Sequence, residues 1–384
     1  MQKLTALNQI FQMIPNFLIC EATKEQKGKH HAKTFGDLAF VKTILLSVIQ
    51  KTGSLRQTSE TIDKLPGCGY HYGLQQVSKS TLSDALNNRP YQILETLYNR
   101  LKKFYPLPNR FKGELKSKVK AIDATTFELP LVRFAWAYFR ETTSGVKVLT
   151  EMSINDGSAS VVRMTEAKRH ESHNVSEVFQ IEPDTLYLFD RGFTNFPFWN
   201  KIAENNSTFI TRQKSNLDYY RINSRTLSEE DKVNRIRSDQ VIKLKNKKAK
   251  GLLLRRITVY DKEKGERIKI ITNNFDLSAS EIALLYKYRW EIELLFRTIK
   301  CILKIDHFLG SSKNAVLTQL FAALIYHFLL LVLHYQKYCE YSIGDMIKLI
   351  RTLWMSTQTL KEIFSRRKRM KSKVIKDMQL TLNL

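Results

Sequence analysis

The sequence predicts an α/β protein: a sheet-based core interrupted by a β-rich insertion and preceded by a helical domain. Three observations carry that prediction. Short apolar runs at 117–129 and 185–190 each lead into an aspartate, as buried strands do when they open towards a site. Between about 215 and 275 the chain turns rich in Lys and Arg and alternates as half-buried strands do. Residues 1–112 carry helical apolar spacing and capping residues instead. The expected organisation is a helical domain over 1–112, a first core part over 113–214 and the insertion over 215–276. A second core part over 277–340 and a basic helical tail over 341–384 complete it.

At 384 residues the chain exceeds one average domain and can bury a sizeable core. Lys and Arg number 62 against 37 Asp and Glu, a net charge of +25 spread over the whole length. An excess of that size points to a polyanionic partner, nucleic acid ahead of an anionic membrane surface. Cys20, Cys68, Cys301 and Cys339 are scattered without metal-ligand spacing and fit reduced thiols. Polar residues break up the apolar positions at the N-terminus, so no signal peptide and a cytoplasmic location are expected.

Taken in order, TFGDLAFVKTILLSVIQ (34–50) opens on a capping Thr34 and keeps helical spacing. GSLRQTSETI (53–62) starts a second helix, and after the Gly-rich turn around Gly67–Gly73, SKSTLSDALNNRP (78–90) supplies a third. Two short helices joined by a turn, with Lys79, Ser80, Thr81 and Asn87 or Asn88 near the last, suggest a helix-turn-helix-like DNA reader. The plainer reading makes those short polar side chains simple helix caps.

SKVKAIDATTFEL (117–129) is a strand running into Asp123, a costly place for an acid unless something offsets its charge. The alternative is an edge strand whose aspartate points to water. VKVLTEMSI (146–154) and ASVVRMTEA (159–167) flank Asn155-Asp156-Gly157, a hairpin signal. HNVSEVFQI (173–181) reads as a crossover helix, and TLYLFD (185–190) as a buried strand ending at Asp190, where Gly192 lets the chain turn. FPFWNKIAE (196–204) is a further helix. STFITRQK (207–214) is the next strand, its Arg212 and Lys214 bringing positive charge near Asp190.

The insertion contributes VIKLKNK (241–247), LLLRRITVYD (252–261) and ERIKIIT (266–272), with a turn over Lys262–Gly265. Further on, AVLTQLFAALIYHFLLLVLHY (315–335) is long and apolar enough to raise a membrane span. Gln319, His327 and His334 interrupt it, and a helix apolar all round fits a protein core, so no membrane partner is expected. SRRKRMKSKVIK (365–376) is a basic run, either a solvated helix end or a phosphate-tracking arm.

The chemistry concentrates in YKYRWEIELLFRTIK (286–300), which no Gly or Pro interrupts and which follows a Ser280-containing helix start signal in LSASE. Tyr286, Arg289, Glu293 and Lys300 fall at steps of three, four and seven, which at about 3.6 residues per turn share one helix face. An arginine grips phosphate through its fork, a lysine adds a point charge, and a carboxylate holds a divalent cation through oxygen. The bland alternative is a solvated face on which Arg289–Glu293 and Glu293–Arg297 are ordinary ion pairs.

Tyr-x2-Arg-x3-Glu-x6-Lys resembles the signature of bacterial insertion-sequence DDE transposases of the Y-R-E-K type, the insertion-sequence-four family. The flanking Thr272-Asn273 and Trp290 resemble it too, and Asp190-Arg191-Gly192-Phe193 is similar to the family's motif around its second acid. The resemblance covers roughly residues 115 to 335. It implies a ribonuclease-H-like core whose Asp123, Asp190 and Glu293 are catalytic and hold two divalent cations, Mg²⁺ or Mn²⁺, about 3.5–4 Å apart. It implies DNA contacts from Tyr286, Arg289, Lys300 and Trp290, with Arg212 and Lys214 beside them. The implied partners are terminal inverted repeats and target DNA, held by a homodimer. The sequence departs from the family in the insertion, where some members carry a base-stacking Trp and this chain has Trp only at 136, 199, 290 and 354. Tyr219, Tyr220 or Tyr260 could take that part. Two other functions stay open at this point: a structure-specific nuclease of the same fold, and a non-catalytic DNA-binding protein of transposase descent.

Overall fold

The computed structural model describes residues 5–26, 35–111, 117–130, 132–140, 143–166, 179–262, 265–303, 308–336 and 340–364. The basic run over 365–376 and most of the expected helix over 173–181 lie outside the described residues. The chain forms two compact units. One joins Met1–Leu107 to Arg297–Leu384, and the other is Pro108–Phe296.

The first unit is helical. Its N-terminal part runs α1 (Ala6–Gln12), α2 (Asn16–Glu25), α3 (Asp37–Gln50), α4 (Leu55–Asp63), α5 (Lys79–Asn88) and α6 (Gln92–Phe104). Hydroxyl caps set three of the starts: Thr5 accepts from the Asn8 N–H, Ser54 from Gln57 and Ser78 from Thr81. By contrast, α3 starts on Gly36 instead of the expected Thr34, which lies outside the described residues. Ser78 thus takes the plain capping role, while Lys79, Ser80, Asn87 and Asn88 stay exposed on α5.

The second unit is built on a ten-stranded mixed sheet. Its strands are β1 (Lys118–Pro130), β2 (Tyr138–Arg140), β3 (Thr143–Ser153), β4 (Ala159–Glu166), β5 (Thr185–Phe189) and β6 (Thr208–Arg212). The insertion supplies β7 (Tyr219–Ser224), β8 (Ile236–Leu244), β9 (Leu253–Asp261) and β10 (Glu266–Thr272). Helices α7 (Phe196–Glu204), α8 (Glu229–Val233), α9 (Ala279–Tyr288) and α10 (Trp290–Ile302) accompany them, the last running on into the helical unit. The order is β2-β3-β1-β5-β6-β10-β9-β8-β7, with β4 on β3. β1, β3 and β4 form an antiparallel meander, and β5 and β6 then lie parallel to β1. The Asn155-Asp156-Gly157 turn joins β3 to β4 as expected, with Gly157 at φ 78°, where a side chain would be strained.

Ile122, Tyr187, Phe189 and Phe209 face one side of the sheet and pack with Phe198, Trp199 and Ile202 of α7. Strand alternation then sends Asp123, next to Ile122, towards the opposite face.

After α10 the chain returns to the helical unit with α11 (Lys313–Gln336) and α12 (Ile343–Leu353). α11 is the one described helix long and apolar enough to cross a membrane, and it is wholly buried inside this unit. It packs on α3, α5, α6 and α12. Tyr91 stacks on Phe321 and Tyr98 meets Phe328 edge-on. Asn314 ties α11 to the α5–α6 corner, donating to the Leu86 and Arg89 carbonyls and accepting the Tyr91 N–H. The core reading of residues 315–335 therefore holds.

Candidate active site

Strand register brings the first two acids together. β1 and β5 run parallel with Ile122 opposite Phe189, so one step further Asp123 is level with Asp190. Neighbouring strands lie about 4.8 Å apart. Asp190 leaves β5 in an extended conformation (φ −78°, ψ 164°) before the turn Arg191–Phe193. β6 continues the pattern with Thr211 opposite Phe189, which puts Arg212 one step on, beside Asp190.

The glutamate arrives on a helix that differs from the expected one. Residues 286–300 do not form one uninterrupted helix: α9 stops at Tyr288, α10 starts at Trp290, and Arg289 is the joint. The Arg289 N–H bonds the carbonyl of Tyr286, three residues back instead of four, at 3.2 Å. That tightening breaks the α-helical ladder at one residue. α9 itself begins in a capping box on Ser278 instead of Ser280, Ser278 accepting the Glu281 N–H and the Glu281 side chain accepting the Ser278 N–H. The Ser280 hydroxyl donates to Asp231.

From the joint the Arg289 guanidinium reaches Glu293 at 2.7 Å and Asp123 at 4.0 Å, with side chains 30% and 17% exposed against its own 13%. It stands 5.7 Å from the Tyr286 ring centre. Burial works against its charge, but Tyr286, Glu293 and Asp190 outweigh burial and hold its pKa above the ordinary value. All three expected acids thus act on one guanidinium. Burial raises the Tyr286 pKa and Asp190 adds to the rise, while Arg289 and Arg212 oppose it. The buried Arg289 Nε has no hydrogen-bond partner among the described residues. An unmet N–H in such a place is costly, and an anionic oxygen is its natural complement.

Among the described residues no three Asp, Glu, His or Cys side chains stand close enough together to hold a metal ion. The positive charge between the carboxylates is that of Arg289. The donor set is nonetheless all oxygen, the chemistry that suits Mg²⁺ or Mn²⁺ rather than Zn²⁺.

The remaining expected residues divide. Arg212 pairs with Glu266 at 3.2 Å and its charge is felt at Tyr286. Lys214 is half-buried in the turn after β6, and its ammonium makes no bond to the acids among the described residues. Trp290 is 49% exposed at the first position of α10. Lys300 lies further along α10, in the stretch that belongs to the helical unit. Asn273 accepts the Phe209 N–H at 2.8 Å and donates to the Ser207 carbonyl, fixing the end of β10 to the start of β6.

Two residues that the sequence reading passed over also belong here. Arg110 bonds Glu291 at 2.7 Å and the Ile154 carbonyl at 3.0 Å. Glu291 is two residues from Glu293, so about 200° of helix rotation turns it away from the acids. Only that alternation of acids in Trp290-Glu291-Ile292-Glu293 could have marked it in sequence.

A model of the transposase DDE domain matches residues 114–329, which span both aspartates, the insertion and the joint. The chain belongs to the DDE-domain transposases. A protein of Sinorhizobium fredii named as a transposase is 34% identical over 254 residues, covering 65% of this chain and 69% of that protein. The transposase named for insertion sequence element IS5377 of Geobacillus stearothermophilus is 25% identical over 332 residues, 86% of this chain and 85% of its own length. A Synechocystis protein named for insertion sequence element IS4SA is 23% identical over 282 residues, covering 72% and 78%. This DDE transposase is therefore a phosphoryl-transfer enzyme of insertion-sequence elements, which implies DNA as its substrate and divalent metal ions at its site.

Proposed function

We propose that this transposase is of the Y-R-E-K type and cuts and joins insertion-sequence ends at Asp123, Asp190 and Glu293. One observation carries the reading: three acids from two strands and a helix act on one half-buried arginine whose Nε lacks a partner among the described residues. The order β4-β3-β1-β5-β6, with only the first three antiparallel, supports a ribonuclease-H-like core.

Asp123, Asp190 and Glu293 would hold two divalent cations, Mg²⁺ or Mn²⁺. Bound there, such cations supply activation of an attacking oxygen and stabilisation of the leaving one. Arg289 grips a phosphate flanking the scissile bond through its free Nε–H, and the Tyr286 phenol, kept protonated, donates a further contact. Trp290 presses on DNA beside the joint, and Arg212, Lys214 and Lys300 neutralise neighbouring phosphates. The helical domain, with the exposed Lys79, Ser80, Asn87 and Asn88 of α5, reads the terminal inverted repeats. A homodimer pairs two ends in the cytoplasm and delivers them to target DNA.

Incubation of the full chain with terminal DNA and Mg²⁺ or Mn²⁺ tests this reading. Nicking followed by joining to a target plasmid is the expected result. Nicking without joining would favour the structure-specific nuclease, and binding without nicking a non-catalytic descendant.

A further inference from the structure

Arg110 and Phe111 hold the joint at Arg289 from both sides. The Arg110 side chain bonds Glu291, just after the joint, at 2.7 Å. Phe111 meets Tyr288, just before it, edge-on at 5.2 Å between ring centres. The same short segment is fixed to the β3–β4 turn. The Arg110 N–H donates to the Asn155 carbonyl at 2.8 Å, and its Nε donates to the Ile154 carbonyl at 3.0 Å. The turn is fixed in its turn to β1. The Val119 N–H donates to Asn155 Oδ1 at 2.7 Å, and the Ile154 N–H donates to the Val119 carbonyl at 2.8 Å. Val119 lies four residues before Asp123 on β1, and Glu291 two before Glu293 on α10.

We infer that Arg110 is a positioning residue, which sets the joint against β1 so that Arg289 and Glu293 meet Asp123. The inference rests on the site reading above. Helix geometry gives it direction, since Glu291 faces the turn when Glu293 faces the aspartates. The Arg110–Glu291 pair is partly buried, with side chains 26% and 22% exposed, and the guanidinium forks between a carboxylate and a carbonyl. Such a fork fixes a distance as well as a charge, and a shift of about 1 Å in a catalytic carboxylate is enough to slow a reaction substantially.

The test uses the full chain as Arg110→Ala, Arg110→Lys, Glu291→Gln and the double variant Arg110→Ala/Glu291→Gln, with Asp190→Asn as reference. Nicking of terminal DNA gives kcat and KM, and titration with Mn²⁺ in the absence of DNA gives metal affinity. Arg110→Ala and Glu291→Gln are each expected to lower kcat roughly tenfold with KM for DNA unchanged, and to weaken Mn²⁺ binding by a similar factor. The double variant should be no worse than Arg110→Ala, and Arg110→Lys should recover part of the loss. Should Arg110→Ala fold poorly, Glu291→Gln still decides, because it leaves the Arg110 bonds to the turn in place. Wild-type kcat and Mn²⁺ affinity in Glu291→Gln, with Asp190→Asn inactive, would overturn the positioning role alone. Wild-type nicking by Asp190→Asn would overturn the site reading itself.

Discussion

Two arginines of the sheet unit, one buried and one half-buried, are held by their acids in different ways. Arg255, 1% exposed in the insertion, is closed on every side. Its guanidinium meets both Asp239 oxygens, at 2.6 and 3.3 Å, and the carbonyls of Asn274 and Leu277, at 3.0 and 2.6 Å. Arg289 is 13% exposed, divides its charge among several acids and leaves Nε unmet. The first arrangement has nothing left to offer a ligand. The second leaves one N–H unmet and stands among more negative charge than one arginine cancels. An unmet polar atom alone does not make the distinction, because Trp199 Nε1 and Tyr326 Oη are also unmet inside apolar packing. The acids that share Arg289 do.

The largest expected effect tests the acids. Asp190→Asn should still bind terminal DNA but lose nicking and joining together, each by about 10³-fold or more, since both reactions would use the same carboxylates. Joining retained at the wild-type rate, or turnover with Ca²⁺ as fast as with Mg²⁺, would end the assignment. Mn²⁺ tolerates distorted coordination better than Mg²⁺ and should relax sequence stringency.

Next come the two arginines themselves. Arg255→Ala leaves the buried Asp239 carboxylate with the more distant Arg225, at 3.8 Å, and should cost about 3 kcal/mol of stability by denaturant unfolding. Arg289 pairs with carboxylates that are 17% and 30% exposed and stay open to water, so Arg289→Ala should cost the fold less, about 1 kcal/mol. Its cost appears on DNA, where the slope of log affinity against log salt should fall by about one unit, and Lys300→Ala should do the same. If Arg289→Ala destabilised the chain as much as Arg255→Ala, or left the salt slope unchanged, the contrast between the two would collapse.

A third measurement asks what burial does to an ionisable group with no such crowd around it. His327 on α11 is buried, and desolvation lowers its pKa to about 4. The unfolded imidazole titrates near 6.5 and therefore binds more protons than the folded one between about 6.5 and 4. Stability is thus fully present above pH 6.5 and falls as pH drops towards 4, by roughly 3 kcal/mol. His327→Leu should flatten that part of the curve while leaving DNA nicking at neutral pH intact. An unchanged acid limb would place the acid sensitivity elsewhere.

The contrast also marks what the sequence could carry. Asp123 and Asp190 were legible because each ends an apolar run, and their pairing follows from parallel register alone. The β3–β4 turn was legible because Asn155-Asp156-Gly157 has little else to do. The break at Arg289 was not, since Arg is a good helix former and periodicity runs through a one-residue tightening unchanged. Nor was the Arg110–Glu291 contact, whose partners lie 181 residues apart and carry no local pattern. β7 escaped because five of its six residues are exposed and show no apolar alternation.

The smallest expected effect comes from the unmet phenol of Tyr326. Burial raises its pKa, and no acceptor meets its hydroxyl among the described residues. Removing an unpaired buried hydroxyl takes away a desolvation cost without breaking a bond, so Tyr326→Phe should be neutral or stabilising by up to about 1 kcal/mol. Nicking, joining and the salt slope should stay at wild-type values, because no carboxylates surround this group as they surround Arg289. Thermal unfolding and a nicking assay on the same preparation check both halves. A loss of activity with stability unchanged would mean that an unmet polar atom marks function even without converging charge, and the distinction drawn from Arg255 and Arg289 would have to be given up.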